Sequence, residues 1–388
     1  MNWIRKYIAN IALVVASILM TLVVIDFALY FTQKRSSITK LVYPRFYFVK
    51  DSELGHDISP NFATTTHFFE DFSYPIWSND LGCFDTDYVG ETPYIYMAGD
   101  SLTWGFSPFD DMWGKRLETL LGMRTVKCGV TGGYGTKQEL IKTKRSLSRL
   151  PSPNLIIVGY FEGNDVIEDA NFPSNTVYNG YLVRNLAKDG VSQALAEEKY
   201  ARFDKYCTIE ILLHPIIQRT RCLLSNHSVL YNLVKKDIRK ALISLFPQST
   251  LINSGLIARE IVLPDARSET EYKKHLDNVL DFKKLAVEEN SKLLFVLMSG
   301  ENEKLKLFLD REEISYVDFH PIFEEYSKIK SLRWKINGHH NIDGNHLLGF
   351  VVSKFIIEND LVSVVNKTES LMMIDKGMKE EFNVALNN

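Results

Sequence analysis

The residues with the clearest chemical potential are Gly99, Asp100 and Ser101, which stand where an apolar run gives way to a turn. The run is Tyr94–Ala98, and Leu102-Thr103-Trp104-Gly105 follows the serine. This order predicts a short strand that ends just before Ser101 and a helix that begins there. A serine in that place lies near unpaired backbone N–H groups and the positive end of a helix dipole, which favour negative charge beside its oxygen. The same residue types are ordinary turn formers, so the tripeptide alone is weak evidence for a nucleophile.

Three later segments could complete such a site. A serine hydroxyl needs a base to take its proton, and histidine suits this role near neutral pH. The tetrahedral intermediate of acyl transfer also needs donors aimed at its oxyanion. The sequence offers a glycine-rich segment at residues 129–136, the tripeptide Gly163-Asn164-Asp165 after an apolar run, and a histidine-rich turn at Asn337–His346.

These segments, in this order, resemble the SGNH/GDSL hydrolase superfamily, and more closely its membrane-anchored bacterial envelope branch. Tyr96–Gly105 is similar to the first block of the family, Gly132 to the glycine of the second block, and Asn164 to the asparagine of the third. Ser78–Asp85 is similar to an asparagine-containing lead-in of that branch. The likeness covers residues 50–170 and 270–358, approximately.

The resemblance implies a serine esterase or acyl hydrolase that needs no cofactor and no metal. Ser101 would form an acyl-enzyme, and the oxyanion hole would comprise the backbone N–H groups of Ser101 and Gly132 and the side-chain amide of Asn164. Envelope members often act on acylated glycans, so the implied substrate is a small acyl ester or an O-acyl group on an envelope glycan. The alternatives are an O-acyltransferase acting on polysaccharide and a non-catalytic binding protein whose triad has decayed.

The position of the base is open between two registers of the histidine-rich turn. In one, His339 is the base and Asn337 replaces the orienting aspartate of the family's Asp-x-His element. In the other, Asp343 and His346 form a literal Asp-x-x-His. The first is favoured because the Gly-Asn pair after Asp343 resembles the family's helix start, which makes Asp343 a helix-start acid.

The asparagine at position 337 has a chemical consequence. Its amide can accept an N–H from His339, but it cannot stabilise an imidazolium as a carboxylate does. Either a Ser–His dyad suffices, or another carboxylate substitutes, or activity is slow or absent. A metal site built from His339, His340, Asp343 and His346 is a third hypothesis.

Bulk composition excludes some classes of function. The chain has 388 residues and a net charge of −3, which gives no electrostatic case for binding nucleic acid. Four cysteines are too few for a disulfide scaffold, and no CxxC pair points to zinc. Cys207 and Cys222 are close enough in sequence to be bridged, although two buried free thiols are the favoured interpretation.

The N-terminal segment predicts a membrane anchor. Ile8–Tyr30 is almost wholly apolar and long enough to span a bilayer. It lacks the short core and small-residue exit of a signal peptide, so residues 8–31 are expected to remain in the lipid bilayer as a single-pass anchor. Basic residues flank both ends, so charge does not set the orientation. Resemblance to the envelope branch places the catalytic domain in the periplasm or otherwise outside the cytoplasm.

The remaining pattern predicts an α/β fold. Apolar strands alternate with helical segments, which indicates crossover units and a parallel sheet. The resemblance makes this a three-layer α/β/α, flavodoxin-like sheet. The predicted strands are Tyr94–Ala98, Thr125–Cys128, Leu155–Tyr160, Lys292–Leu297 and Ser315–Asp318. The predicted helices are Trp113–Leu121, Thr136–Leu147, Thr270–Glu289 and Asn302–Arg311.

Five segments follow from this pattern. Residues 1–35 are the anchor, and residues 36–92 are an aromatic-rich connector that packs on the catalytic domain. Residues 93–169 and 265–360 form the hydrolase domain. Residues 170–264 interrupt it with a mainly helical insertion, a possible lid, and residues 361–388 are a polar tail.

Overall fold

The computed structural model describes residues 43–185 and 269–382, apart from residues 70, 71, 91, 179, 299, 301, 302, 336 and 337. It also describes isolated positions between residues 7 and 28. Residues 43–185 and 269–382 belong to one compact unit, Leu41–Val191 with Pro264–Asn388.

Short strands and helices alternate along most of this unit. The strands are β1 (Phe48–Asp51), β2 (Gly55–Ile58), β3 (Thr65–Phe69), β4 (Phe72–Ile76), β5 (Tyr94–Gly99), β6 (Arg124–Lys127), β7 (Leu155–Tyr160), β8 (Asn175–Tyr178), β9 (Tyr181–Arg184), β10 (Lys292–Leu297) and β11 (Ser315–Asp318). The helices are α1 (Ser101–Trp104), α2 (Trp113–Leu121), α3 (Thr136–Leu147), α4 (Asp165–Ala170), α5 (Glu269–Glu288), α6 (Glu303–Arg311), α7 (His320–Ser327), α8 (Ile342–Glu358) and α9 (Lys367–Phe382). A 3-10 turn at Phe109–Asp111 connects α1 to α2.

The central element is a five-stranded sheet in the order β11-β10-β7-β5-β6, with every neighbouring pair parallel. If the five strands of this sheet are numbered 1 to 5 in chain order, from β5 to β11, their order in the sheet is 2-1-3-4-5 when read from the β6 edge. This is the doubly wound strand order of flavodoxin. The prediction of an α/β fold with a parallel sheet is therefore confirmed. The strand order reverses between β5 and β7, and ligands of such folds bind beyond the carboxyl ends of the strands at this point.

Side chains of the sheet alternate between two cores, which makes the unit three-layered. In β5, Ile95 and Met97 join the core formed with α2, α8 and α9. Tyr96 and Ala98 point the other way, into the core formed with α3, α5 and α6. Both β5 and β7 are buried at every position, as expected of strands covered on both faces.

The connector forms two antiparallel hairpins, β1–β2 and β3–β4. Its aromatic residues pack around Trp104 and Phe106, which follow the predicted nucleophile, in a third buried cluster. A disulfide joins Cys83 of the lead-in loop to Cys128 at the end of β6, with Cα atoms 4.7 Å apart. No local pattern predicts this pairing, because 45 residues separate the two cysteines along the chain.

The insertion, the C-terminal segment and the N-terminal segment can be compared with their predictions only over their described residues. The described start of the predicted helical insertion is a β-hairpin, β8–β9, whereas Cys207 and Cys222 lie outside the described residues. The segment predicted as a polar tail contains α9, whose Ile374, Met378 and Phe382 are buried. The described positions between residues 7 and 28 are helical, yet none of the described helices is both long and apolar enough to cross a bilayer.

Candidate active site

Ser101 is the first residue of α1, directly beyond the carboxyl end of β5. The chain turns here through Gly99, whose φ is +147°. A Cβ at this glycine would lie 2.0 Å from Thr103 Oγ1 and 2.9 Å from the carbonyl oxygen of Gly159. Only glycine therefore fits between β5, α1 and the neighbouring strand, and this close fit fixes where the serine stands.

Asp100 caps α1 and links the serine to Asn164. Its Oδ1 accepts the backbone N–H of Leu102 at 2.9 Å. Its Oδ2 accepts the side-chain amide of Asn164 at 2.8 Å and lies 3.4 Å from Ser101 Oγ. Burial raises the pKa of Asp100 to about 6, although these hydrogen bonds oppose the shift.

His339 lies next to the serine. Its Nε2 is 2.8 Å from Ser101 Oγ, which is hydrogen-bonding distance. The ring is carried by a tight loop that the backbone N–H of Trp334 closes by donating to the carbonyl of His339 at 2.8 Å. Burial, with the charge of Arg333 acting in the same direction, lowers the pKa of His339 to about 4. The imidazole is thus neutral at neutral pH and can accept a proton.

The residues of the second register are engaged elsewhere. His346 Nδ1 hydrogen-bonds to Glu381, and its Nε2 lies 3.3 Å from Asp111. Asp343 is in the first turn of α8 and pairs with Lys330 at 2.7 Å. The structure therefore brings Ser101 together with His339, the base of the first register.

His340 and Asn337 are the remaining candidate residues of the histidine-rich turn. His340 is 2% exposed and stacks on Phe323, with ring centroids 5.1 Å apart. Asn337 lies outside the described residues. In the described ranges, the structure has no group of three histidine, cysteine or acidic side chains able to hold a metal.

The two further oxyanion candidates follow the strands on either side of β5. The loop after β6 is tied to β5 because the Val130 N–H donates to the Gly99 carbonyl at 2.9 Å. Gly132, in that loop, has φ +102°, and a Cβ there would lie 2.6 Å from Leu182 Cδ2 of β9. Asn164 is the N-cap of α4, beyond β7, and reaches the serine through Asp100. Their role as oxyanion donors stays a prediction.

Sequence reasoning missed the residues that surround the histidine. The ring of Phe106 lies 4.3 Å from that of His339, centroid to centroid. Trp334 donates its indole N–H to the Phe106 carbonyl at 3.0 Å, and the Asn345 amide donates to the Gly105 carbonyl at 2.9 Å. The only sequence signal was proximity to the motifs, since Phe106 follows the first block and Trp334 precedes the histidine-rich turn.

Two more carboxyl groups in this region are buried. Burial raises the pKa of Glu139 well above its usual range, and the charges of Asp100 and Asp169 act in the same direction. Burial, with the charges of Glu139 and Asp100, does the same for Asp165, whose Oδ2 accepts the Phe161 N–H at 2.8 Å. Burial and the neighbouring carboxylates thus disfavour the charged form of both groups.

Fold and site together define a flavodoxin-like α/β protein in which a serine at the switch point is hydrogen-bonded to a histidine from the C-terminal part of the chain. No protein-family model and no curated protein matches the sequence.

Solved structures similar to this chain include a member of the lipolytic G-D-S-L family from Veillonella parvula, with 11% identity over 67% of this chain and 96% of that chain and a TM-score of 0.32. A protein from Desulfitobacterium hafniense assigned to the same family has 10% identity over 68% and 99% of the two chains and a TM-score of 0.33. One from Bacteroides fragilis assigned as an acylhydrolase has 12% identity over 72% and 92%, with a TM-score of 0.33. Likeness at this level carries no argument about activity, which has to be derived from the site.

Proposed function

We propose that this protein is a serine-dependent acyl hydrolase that cleaves ester bonds. The observation that carries the proposal is the 2.8 Å approach of Ser101 Oγ to His339 Nε2 at the carboxyl edge of the parallel sheet. A neutral imidazole in hydrogen-bond contact with a serine hydroxyl is the arrangement that activates the oxygen for attack. The placement at the switch point of a doubly wound fold supports the same proposal, because substrates bind there.

The reaction proceeds in two halves. His339 Nε2 takes the hydroxyl proton as Ser101 Oγ bonds to the acyl carbon, and the carbonyl oxygen becomes an oxyanion. When the intermediate collapses, the carbon–oxygen bond to the alcohol breaks and His339 returns the proton to that alcohol. Water then attacks the acyl-enzyme with the same proton transfers, releasing the carboxylic acid and restoring the serine hydroxyl.

The oxyanion hole combines two kinds of donor in this proposal. The backbone N–H groups of Ser101 and Gly132 are fixed donors, and Asn164 contributes its side-chain amide. One N–H of that amide donates to Asp100 Oδ2 at 2.8 Å. A primary amide has two N–H bonds, so the second can face the oxyanion while the first keeps the group oriented.

The proposed base is a weak one. Its pKa of about 4 means that accepting a proton costs about 3 kcal/mol more than on an exposed imidazole. Part of this cost is recovered when substrate binds, because the oxyanion that forms lies near the imidazolium and attracts it. We therefore expect slow turnover on activated esters in water and a rate that depends strongly on the oxyanion donors.

Labelling of the full-length protein with a fluorophosphonate tests the mechanism directly. The wild-type protein should be labelled once and should hydrolyse p-nitrophenyl acetate, whereas Ser101→Ala should do neither. Ser353→Ala, which changes a buried hydroxyl of α8, is the matched control and should still be labelled. Undiminished hydrolysis by Ser101→Ala would exclude this mechanism. Absence of any labelling of the wild type would favour the alternative of a glycan-binding protein with a decayed triad.

The substrate within the ester class is also a proposal. An O-acyl group on an envelope glycan follows from the sequence resemblance, and the same acyl-enzyme could pass its acyl group to a carbohydrate hydroxyl instead of water. Adding a saccharide acceptor separates the two outcomes. A transferase would form acylated saccharide at the expense of free acid, and a hydrolase would not.

We also propose a location outside the cytoplasm and an N-terminal membrane anchor, and one observation supports each. The Cys83–Cys128 disulfide is typical of proteins that fold in oxidising compartments. At the described N-terminal positions, apolar side chains such as Leu13, Val23 and Val24 are exposed, as expected of a helix that faces lipid. Alkaline carbonate extraction of membranes tests the anchor: the full-length chain should stay in the pellet, and a chain without residues 1–35 should be released.

A further inference from the structure

We propose that Phe106 is a positioning residue that sets the orientation of the His339 imidazole. This inference rests on the proposed function, since it assigns His339 the role of base. The Phe106 and His339 ring centroids are 4.3 Å apart, with the ring planes inclined by 50°. Phe106 is 1% exposed, so its ring is itself held by the surrounding core.

The backbone at Phe106 has an unusual conformation, and residues distant in the sequence hold it in place. Its φ is +40°, a conformation that non-glycine residues rarely adopt and that persists only when surrounding contacts enforce it. Trp334 Nε1 donates to the Phe106 carbonyl at 3.0 Å. The Asn345 side-chain amide donates to the carbonyl of Gly105 at 2.9 Å and to Ser107 Oγ at 3.0 Å. The segment Gly105–Ser107 is thus fixed at each of its three residues.

Both holding residues belong to the part of the chain that carries the base. Trp334 closes the loop of His339 through its backbone N–H, and Asn345 lies in the first turns of α8, just beyond that loop. On the other side, the ring of Phe106 meets that of Trp104, in the helix of Ser101, at 5.0 Å with a T-shaped geometry. Phe106 therefore lies between the helix of the nucleophile and the loop of the base, and its ring limits how far the imidazole can rotate away from Ser101 Oγ.

A second phenylalanine–histidine pair distinguishes positioning from ordinary core packing. Phe323 stacks on His340, the next residue along the chain, at 5.1 Å. Phe323 is 3% exposed, so its truncation should disturb the core to a degree comparable with truncation of Phe106. The two pairs share residue types and both phenylalanines are buried, but of the two only Phe106 contacts the imidazole that reaches the serine.

The experiment measures kcat, KM and the pH dependence of kcat/KM for p-nitrophenyl acetate in the full-length protein. Phe106→Gly removes the ring at a position whose φ glycine tolerates, so it relieves backbone strain while it frees the imidazole. We expect kcat to fall about 10- to 100-fold with KM changed less than about threefold, as for a base that is displaced rather than lost. Phe106→Tyr keeps a ring and should retain at least about half of the wild-type kcat, and Phe323→Leu should leave kcat within about twofold.

The pH profile gives a readout that a merely structural role would not change. Water admitted by Phe106→Gly reduces the desolvation of His339, so the acid limb of kcat/KM should move from about 4 towards the value of an exposed histidine. The charged and titratable groups around the imidazole, Arg333, His340 and Asp100, are unchanged in that variant. In Phe323→Leu the limb should not move.

The results separate the two levels of the proposal. If the wild-type protein neither hydrolyses the ester nor reacts with a fluorophosphonate, the proposed function fails. If the wild type reacts and Phe106→Gly matches it in kcat and in the acid limb, only the positioning role is overturned. If Phe106→Gly does not fold, Phe106→Leu decides, because it keeps apolar volume without the ring: a wild-type kcat and acid limb there would refute the role.

Discussion

His339 and His346 are two histidines of one short segment that occupy opposite environments. His339 lies against the Phe106 ring and within 2.8 Å of the Ser101 hydroxyl. His346 lies between two carboxylates, hydrogen-bonded to Glu381 and 3.3 Å from Asp111. Burial beside an aromatic ring keeps the first imidazole neutral, whereas the second fastens the start of α8 to α9 and to the turn before α2.

The difference shows why a histidine near a motif is insufficient evidence for a base. A general base has to release its proton as readily as it accepts one, and it has to reach the nucleophile. His346 instead contacts two carboxylates on neighbouring elements, which suits a structural link between helices. The two positions therefore predict opposite consequences when each histidine is replaced by alanine.

The largest expected difference is in catalysis. His339→Ala should lower kcat/KM for p-nitrophenyl acetate by about a thousandfold or more, the order seen when a catalytic histidine is removed. His346→Ala should stay within about twofold of the wild type. Steady-state rates of both variants at pH 7 measure this. Equal losses in the two variants would mean that the base has been misassigned.

The side-chain oxyanion donor Asn164 is expected to contribute less to the rate than the base His339. Asn164→Ala removes a side-chain donor from the site and should lower kcat by about a hundredfold, with a smaller change in KM. Asn278→Ala is a matched control, because Asn278 donates to the buried Asp169 at 2.9 Å without reaching Asp100. Kinetics of the two variants test the assignment, and a similar kcat in both would remove Asn164 from the oxyanion hole.

The pH dependence of the wild type should reflect the environment of His339. Its folded pKa lies below that of an exposed histidine, at about 4, so the imidazole stays neutral and active down to mildly acidic pH. We expect kcat/KM to fall only as the pH drops towards about 4. Arg333→Gln removes a positive charge that disfavours the imidazolium. The acid limb of the kcat/KM profile should therefore shift to higher pH, by a few tenths of a pH unit to about one. An acid limb near 6.5 in the wild type would contradict this environment.

Most of the sheet was predictable because its strands are short, apolar and separated by clear helical patterns. The strands at Leu155–Tyr160, Lys292–Leu297 and Ser315–Asp318 have the predicted bounds, and so do the helices Trp113–Leu121 and Thr136–Leu147. The hairpin β8–β9 was missed because it lies in a segment read as helical overall. The helix α9 was missed because only three buried apolar residues in sixteen mark it, too few to stand out against its charged positions.

The site was predictable only where a motif fixes a backbone position. Ser101 follows the turn at Gly99, and Gly132 lies in a turn of its own. A side chain at either glycine would clash with its neighbours, and such turns leave a trace in the sequence. The sequence could rank the two histidine registers but could not measure the distance of either ring from the serine. Phe106, Trp334 and Asn345 act through contacts made across more than 200 residues, which no local pattern encodes.

The smallest expected effect is on stability and belongs to His346. Burial alone would raise the pKa of Glu381, but the hydrogen bond from His346 lowers it below its usual range. A carboxylate with a depressed folded pKa stabilises the fold above its unfolded pKa and loses that contribution as the pH falls.

Because the pair is partly solvent-exposed, His346→Ala should lower the free energy of unfolding at pH 7 by about 1 kcal/mol or less. Denaturant unfolding monitored by tryptophan fluorescence should show a gap between wild type and variant that narrows as the pH falls below the ordinary pKa of glutamate, about 4.3, and closes once Glu381 of the folded wild type is protonated. Glu381→Gln, which also removes the ion pair with Arg116, should lower the free energy of unfolding at least as much with activity intact, and a gap that is independent of pH would mean that His346 stabilises α8 by packing alone.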